Sequence, residues 1–463
     1  MKNNIFKNLV LLISALSFVS CASSSKSTSA QVRLRPVEEK TLANGLKILF
    51  IQDNSLPRMG MTLLVGVGSL HDQKGKEGLN SLTAGMIEQG TKTRTATQIA
   101  DEFGQLGSDL SPSSGLDFTT ISTDGLSQYK SELLALYADT ILNPVFAAGE
   151  IDRKKSQNIA ALTKLVDNPT AYADAMLDKE TFGQHPYSHP VIGEIPALRK
   201  MNQSDLKDQY ARFYVPGNST LAVYGQLDEA FKGEVEKVFS QWKSATVPKV
   251  SWSAAKSTDS SKIKIYSKTG LTQTQIRFGQ IGFERTASDF LPARIGNVVL
   301  GGAFASRLNQ RVRDDLGLTY SISSSFEARK EKGPLEVSTF TRNDKVGDTI
   351  KSTKEVLEKF EKEGITNEEL NASKALLVGQ FPATIETVDR YAFNLLILKY
   401  YGIPETYLSH FIENVNKVTL DQVNTAIRKY YKAGNYKVIV YADEKLVGDQ
   451  VKALGPTEIE TLK

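Results

Sequence analysis

The 463-residue chain is 40% hydrophobic and 23% charged, an ordinary globular composition with room for two or more domains, which excludes disorder as its main state. Lys and Arg total 56 against 52 acidic residues, a formal charge of +4 with no basic cluster of the kind that tracks a phosphate backbone, so no nucleic-acid partner is expected. The one cysteine, Cys21, leaves no intrachain disulfide on which fold or redox chemistry could rest.

In chain order, Lys2 and Lys7 precede the apolar run NLVLLISALSFV, which is shorter than the roughly 20 residues of a membrane-spanning helix, so residues 1–20 are read as an export signal. The run ends in FVSC, and ASSSKSTSA follows Cys21. This resembles a bacterial lipoprotein signal, with cleavage before Cys21 and acylation of its sulfur. Ordinary secretion and a retained anchor are the alternatives, because Phe18 stands where an aliphatic residue is usual. Residues 21–36 then form a polar tether, and a soluble body is held by acyl chains to the bacterial cell envelope, facing the periplasm.

LKILFIQ and MGMTLLVGVGS are predicted strands. Within the second, TLLVGVGS reads either as an exposed edge able to pair with a peptide or as a central core strand. In KEGLNSLTAGMIEQGT, residues 76–91, Leu79, Leu82 and Met86 recur at i, i+3 and i+7, one buried helical face, and Gly90 closes the run. SQYKSELLALYADTIL and AGEIDRKKSQNIAALTKLV are predicted helices, and QHPYSHP a loop. Gly301 and Gly302 fit a tight turn. DKVGDTIKSTKEVLEKFEKEG and TNEELNASKALLVGQF are predicted helices whose Lys and Glu runs are solvated faces.

The chain repeats itself. FYVPGNSTLAVYGQL at 213–227 aligns without gaps to YYKAGNYKVIVYADE at 430–444, pairing Tyr214 with Tyr431, Gly217 with Gly434 and Tyr224 with Tyr441, always 217 residues apart. The same offset pairs Lys200 with Lys417 and lays LKI at 46–48 on IKI at 263–265. The expected fold is α+β: two homologous domains from an internal duplication, at 37–243 and 263–463, each a mainly antiparallel sheet packed with helices. The Ser-, Ala- and Lys-rich stretch 244–262 links them.

Four segments in order, VGVGSLHDQKGKEGLNSLTAGMIEQGT, DNPTAYADAMLDKETFGQHPYSHPVIGEIPAL, FYVPGNSTLAVYGQL and LGGAFASRLNQRVRDDLGLTYSISSSF, resemble the pitrilysin and insulinase family of zinc peptidases, in its two-domain, processing-peptidase-like form. Active members carry His-x-x-Glu-His on the first helix, where two histidines one turn apart grip a zinc ion and the glutamate serves as base. Laid on this chain, the histidine positions fall on Ser81 and Gly85, the glutamate position on Ala84, and the third ligand, a glutamate on a later helix, on Ala161 beside Ala160. Hydroxyl, hydrogen and methyl groups cannot stand in for imidazole and carboxylate at zinc. The four histidines, His71, His185, His189 and His410, offer no replacement, since Pro186 separates the i, i+4 pair His185 and His189 and both read as surface or packing residues.

The resemblance also implies an arginine and a tyrosine, seven residues apart in the second domain, that hold substrate; here they are Arg313 and Tyr320. A guanidinium fork can bond a peptide carbonyl and a phenol can reach its oxygen. In several such families one chain carries the zinc motif and another the arginine–tyrosine pair. The profile here implies a noncatalytic subunit with no cofactor of its own. Its expected partners are a zinc-bearing homologous subunit, peptide substrates and the membrane. The alternative is a lipid-anchored peptide-binding or scaffolding protein with no catalytic partner.

Overall fold

The computed structural model describes residues 34–255 and 262–462, so the export signal, Cys21 and the tether up to residue 33 lie outside the described residues, as do 256–261 of the linker. The first half builds one six-stranded sheet from β1 (Val37–Thr41), β2 (Lys47–Gln52), β3 (Arg58–Val65), β4 (Ser111–Ser114), β5 (Thr119–Leu126) and β6 (Ser219–Gly225), in the order β1-β2-β6-β3-β5-β4. The second half repeats it with β7 (Ile263–Ser267), β8 (Gln273–Ile281), β9 (Ile322–Phe326), β10 (Pro334–Arg342), β11 (Lys437–Ala442) and β12 (Thr457–Thr461), in the order β12-β7-β11-β8-β10-β9. Pairing is antiparallel except for β2 with β6, β7 with β11 and β7 with β12. The fold is therefore α+β with two mainly antiparallel sheets, as the duplication predicts.

Alternation along β3 sends Met59, Met61, Leu63 and Val65 into a core shared with Phe103, Leu133, Tyr137 and Phe231. The opposite face carries Leu64 and Thr62, also buried. A strand covered on both faces sits inside a sheet, and β3 lies between β6 and β5, so the edge reading of TLLVGVGS is corrected. Helix α1 (Leu79–Gly85) buries Leu79 and Leu82 as expected but stops well before Gly90, with Met86 as its C-cap. Gly301 and Gly302 end a π-helical turn, Val298–Gly302, with no left-handed backbone. They are small because a Cβ on Gly301 would strike the Ser324 amide, which replaces the tight-turn expectation.

The repeat is visible in detail. Turns Pro216–Asn218 and Ala433–Asn435 feed β6 and β11 at the offset of 217 residues read from sequence. Earlier strands are offset by 215: Ile48 lies opposite Leu221 and Ile263 opposite Val438. The alignment of LKI on IKI is thus two residues out of register, a slip that leaves every side chain on its proper face.

Four further helices follow, α2 (Ala148–Lys164), α3 (Pro169–Phe182), α4 (Asn367–Ile385) and α5 (Val388–Tyr400), of which α3 and α5 tie the halves together. α3 belongs to the first half by sequence yet packs on β8 and β11 of the second, with Tyr172 against the rings of Tyr266 and Tyr441 and Leu177 over Gly279. In return α5 packs on β6, β2 and β3. Arg35 adds a clamp, its guanidinium bonding Asp53, the Ile385 carbonyl at the end of α4 and the adjacent Glu386 carbonyl.

The seam centres on Asp117, only 4% exposed. Its carboxylate accepts from the hydroxyls of Tyr187 and Tyr401 and from the Lys330 N–H at 2.7 Å, while its carbonyl accepts from Tyr400 at 2.8 Å. Trp252 of the linker donates to the Leu70 carbonyl at 2.6 Å, and Lys330 Nζ lies over the rings of Trp252 and Tyr400. Removing a carboxylate that satisfies donors from both halves strands those donors, so Asp117→Ala should cost about 2–4 kcal/mol. A melting temperature within about 1 °C of the parent would contradict this.

Beside it, burial pushes Glu336 on β10 up to about 8 and Asp178 on α3 up to about 7; Asp178 adds to the rise of Glu336, Glu327 and Asp174 add to both, and Arg329 opposes both. A raised carboxyl pKa means the fold holds the proton more tightly than the unfolded chain. That stability is complete below the unfolded carboxylate range near pH 4 and is lost as pH rises through 7–8. Glu336→Gln keeps the neutral form, so it should leave melting at pH 4 nearly unchanged and raise stability at pH 9 by about 1 kcal/mol or more. A thermal-melt series from pH 4 to 9 in which the two chains run parallel would reject the assignment.

Candidate functional site

The helix that carries the metal signature in active relatives is held here by its frame. Asp72 accepts the N–H groups of Gly78 (2.7 Å) and Asn80 (2.9 Å) at the start of α1; burial lifts its carboxyl to about 8 against the pull of those two bonds. Asn80 donates to the Val67 carbonyl and to the hydroxyls of Ser114 and Thr119, fixing α1 to the β4 margin of the sheet. Asn297, 217 residues later, bonds the Ser324 carbonyl on β9 in the same way. Gly78 (φ +96°) and Gly193 (φ +95°) meet backbone to backbone: a Cβ on Gly78 would lie 2.6 Å from the Gly193 Cα. The segments KEGLN and VIGE are thus two sides of one contact.

Within this frame the metal chemistry is absent. Ser81 is half-buried, Ala84 is buried and Gly85 is half-buried on α1, while Ala161 is exposed on α2. The space a side chain at 85 would need is filled by Lys154, two helical turns before Ala161 on the same stripe of α2. Its Cε would lie 2.8 Å from a Cβ on Gly85, and its Nζ stands 3.7 Å from Glu88. The residues present do not fit zinc: a lysine occupies the approach that an imidazole would take.

The histidines are committed elsewhere. Burial, then the Lys330 charge, lowers His71 to about 4, and its Nδ1 accepts the Gly68 N–H at 3.2 Å. Burial, then Arg329, lowers His185 to about 4, and its Nδ1 accepts the Tyr187 N–H. His189 donates through Nδ1 to the Pro190 carbonyl at 3.0 Å. QHPYSHP holds a short 3-10 turn, Pro186–Ser188, and of the surface and packing readings of its histidines the packing one holds, since His185 and His189 are both buried. Among the described residues, no three His, Cys, Asp or Glu side chains converge as a metal site.

The second half presents a different arrangement. Arg313 rises from a π-helical segment, Asn309–Asp315, and its guanidinium lies 4.6 Å over the Phe304 ring. With Tyr320 they border a cavity of about 350 Å³ that opens beside β9. Phe304 is 74% and Tyr320 85% exposed, yet the backbone beneath each is pinned. Asn309 bonds the Ala303 carbonyl and the Ser306 hydroxyl around Phe304. Thr319 bonds both ends of Ser321, and Thr339 donates to the Ser321 carbonyl around Tyr320. Ser81, Ala84, Gly85 and Ala161 do not line this cavity. Phe304 and Lys154 are the residues sequence reasoning missed. An aromatic side chain two residues after a glycine pair, and a lysine one heptad before an expected ligand, were the available signals.

This architecture and this emptied helix define a peptidase-like protein without a peptidase's metal site. A family model described as Insulinase (Peptidase family M16) matches residues 47–194, and one described as Peptidase M16 inactive domain matches 200–377; the chain belongs to the insulinase family, as a degenerate member. It is 25% identical to an uncharacterized zinc protease YmxG of Bacillus subtilis over 85% of this chain and 96% of that one. It is 26% identical to a non-peptidase homolog YmxG of Helicobacter pylori, over 85% and 91%. Among solved structures it is similar to a peptidase M16 inactive domain from Pseudomonas fluorescens (TM-score 0.79, 26% identity, 88% of this chain and 98% of that one). It also shares the fold of a Helicobacter pylori protease (TM-score 0.82, 18% identity, 89% and 100%).

Lys154 gives the site a test. Installing Ser81→His, Ala84→Glu, Gly85→His and Ala161→Glu together should yield weak zinc binding, and adding Lys154→Ala should strengthen it by about tenfold or more, as expected when a competing cation leaves. Calorimetric titration with zinc reads both; equal, tight binding with Lys154 in place would refute its blocking role.

Proposed function

We propose that the chain is the noncatalytic subunit of a heteromeric insulinase-family zinc peptidase, closing a peptide-holding chamber with a zinc-bearing homologue and contributing Arg313 and Tyr320 to the shared site. The observation that carries this reading is the pairing of an emptied metal helix, occupied by Lys154, with a pre-set Arg313–Tyr320–Phe304 cluster whose two rings are exposed. In this assembly the partner supplies zinc and the base, while Arg313 orients the substrate backbone through its fork and Tyr320 offers its hydroxyl to the carbonyl oxygen. Cys21 carries the lipid, and the body faces the periplasm.

Strand addition, if peptides use it, needs an edge other than β3. The edge near α1 is β4, where Pro112 has no N–H to offer, which weakens that edge as a template in this chain. The second reading, a lipid-anchored peptide-binding protein with no catalytic partner, is favoured by the exposure of Phe304 and Tyr320 on the chain by itself.

In the assembled complex, Arg313→Ala should lower kcat/KM for peptide hydrolysis by about tenfold to a hundredfold, with the two chains still co-eluting on size exclusion. Unchanged turnover would remove Arg313 from the shared site.

A further inference from the structure

The cavity beside β9 is selective in its chemistry. Of the side chains lining it, Arg313 alone carries charge. The acidic neighbour facing it, Asp314, stands 4.0 Å from Nε, at the outer limit of an ion pair, and does not line the cavity. The apolar part of the lining is Phe304, under the guanidinium, with Ala303 and the buried Ile322, and the volume of about 350 Å³ admits one large side chain with its terminal group rather than a folded segment. Two aromatic rings held out on pinned backbone are already in place to receive an apolar group, so little ordering is left to binding.

Resting on the reading of Arg313 and Tyr320 as peptide-holding residues, we infer that this cavity selects a peptide bearing a carboxylate next to an apolar side chain, the apolar group between Phe304 and Tyr320 and the carboxylate on the Arg313 fork. A neutral carbonyl engages the fork singly. A carboxylate matches it with two parallel bonds and neutralises its charge. Phe304 is then a specificity-determining residue: it holds the apolar group beside the guanidinium that crosses its ring. The carboxylate can come from a peptide C-terminus or from an Asp or Glu side chain, and the same chemistry receives both.

The test is fluorescence anisotropy on the full chain in mild detergent with three labelled hexapeptides ending in Phe. One has a free C-terminal carboxylate, one is amidated, and one is amidated with Asp beside the Phe. The free acid should bind about tenfold or more tightly than the plain amide. The Asp peptide falls with the acid if the side chain serves and with the amide if only a terminus does. Arg313→Gln should erase the acid-to-amide ratio, while Phe304→Ala should weaken acid and amide alike and leave the ratio standing. Phe304 is exposed and Arg313 half-buried, and matching melting curves would confirm that the variants fold. A ratio near one in the parent chain, with Arg313→Gln still weakening every peptide, overturns the carboxylate selectivity and leaves peptide holding intact. Absence of binding by all three peptides overturns peptide holding by this chain as well.

Discussion

A carboxylate removed from water must collect hydrogen bonds from whatever surrounds it, and Asp117 collects them from both halves of the chain: Tyr187 on one side, Tyr401 and the Lys330 amide on the other. This fixes the seam in one arrangement, because no sliding of the halves keeps all the donors satisfied. The exchanged helices serve the same end with apolar surface, α3 on the second sheet and α5 on the first. The seam also reaches the former metal helix, since the Leu116 carbonyl beside Asp117 accepts the Leu70 N–H, just ahead of the Asp72 carboxylate that caps α1.

That linkage explains how a peptidase frame stands without its metal. α1 is held from behind and at its N-terminus, by Asp72, Asn80 and the Gly78–Gly193 approach, none of which is a metal-ligand position. Replacing the ligand side chains by Ser81, Ala84, Gly85 and Ala161 therefore leaves the helix in place, and Lys154 takes up the space opened at Gly85. On the proposed reading the second half offers the peptide-holding surface, at Arg313 and Tyr320.

Much of this was legible in the sequence. Two Gly-Asn turns followed by apolar strands gave the duplication, because turn chemistry is local and survives divergence. The register of β2 against β7 was not legible, since a shift of two residues preserves the apolar alternation that sequence reasoning reads. The placing of β3 was ambiguous for a related reason: an apolar run reads alike at an edge and in a centre until neighbours are known. Nothing local in SSGLDFTT marks Asp117, because its partners lie up to 284 residues away. Phe304 was hidden because its role depends on Arg313 crossing its ring, which only the folded chain shows.

In the proposed assembly this chain lends peptide-holding residues to a site whose zinc belongs to another subunit. The most direct measurement is to extract the mature chain from its native membrane in mild detergent, identify what co-purifies, and determine zinc per chain together with chelator-sensitive peptide cleavage. The expected result is a zinc-motif homologue at about equal stoichiometry, zinc confined to that homologue, and cleavage that neither chain performs alone. Zinc bound stoichiometrically to this chain in isolation, with cleavage to match, would contradict it.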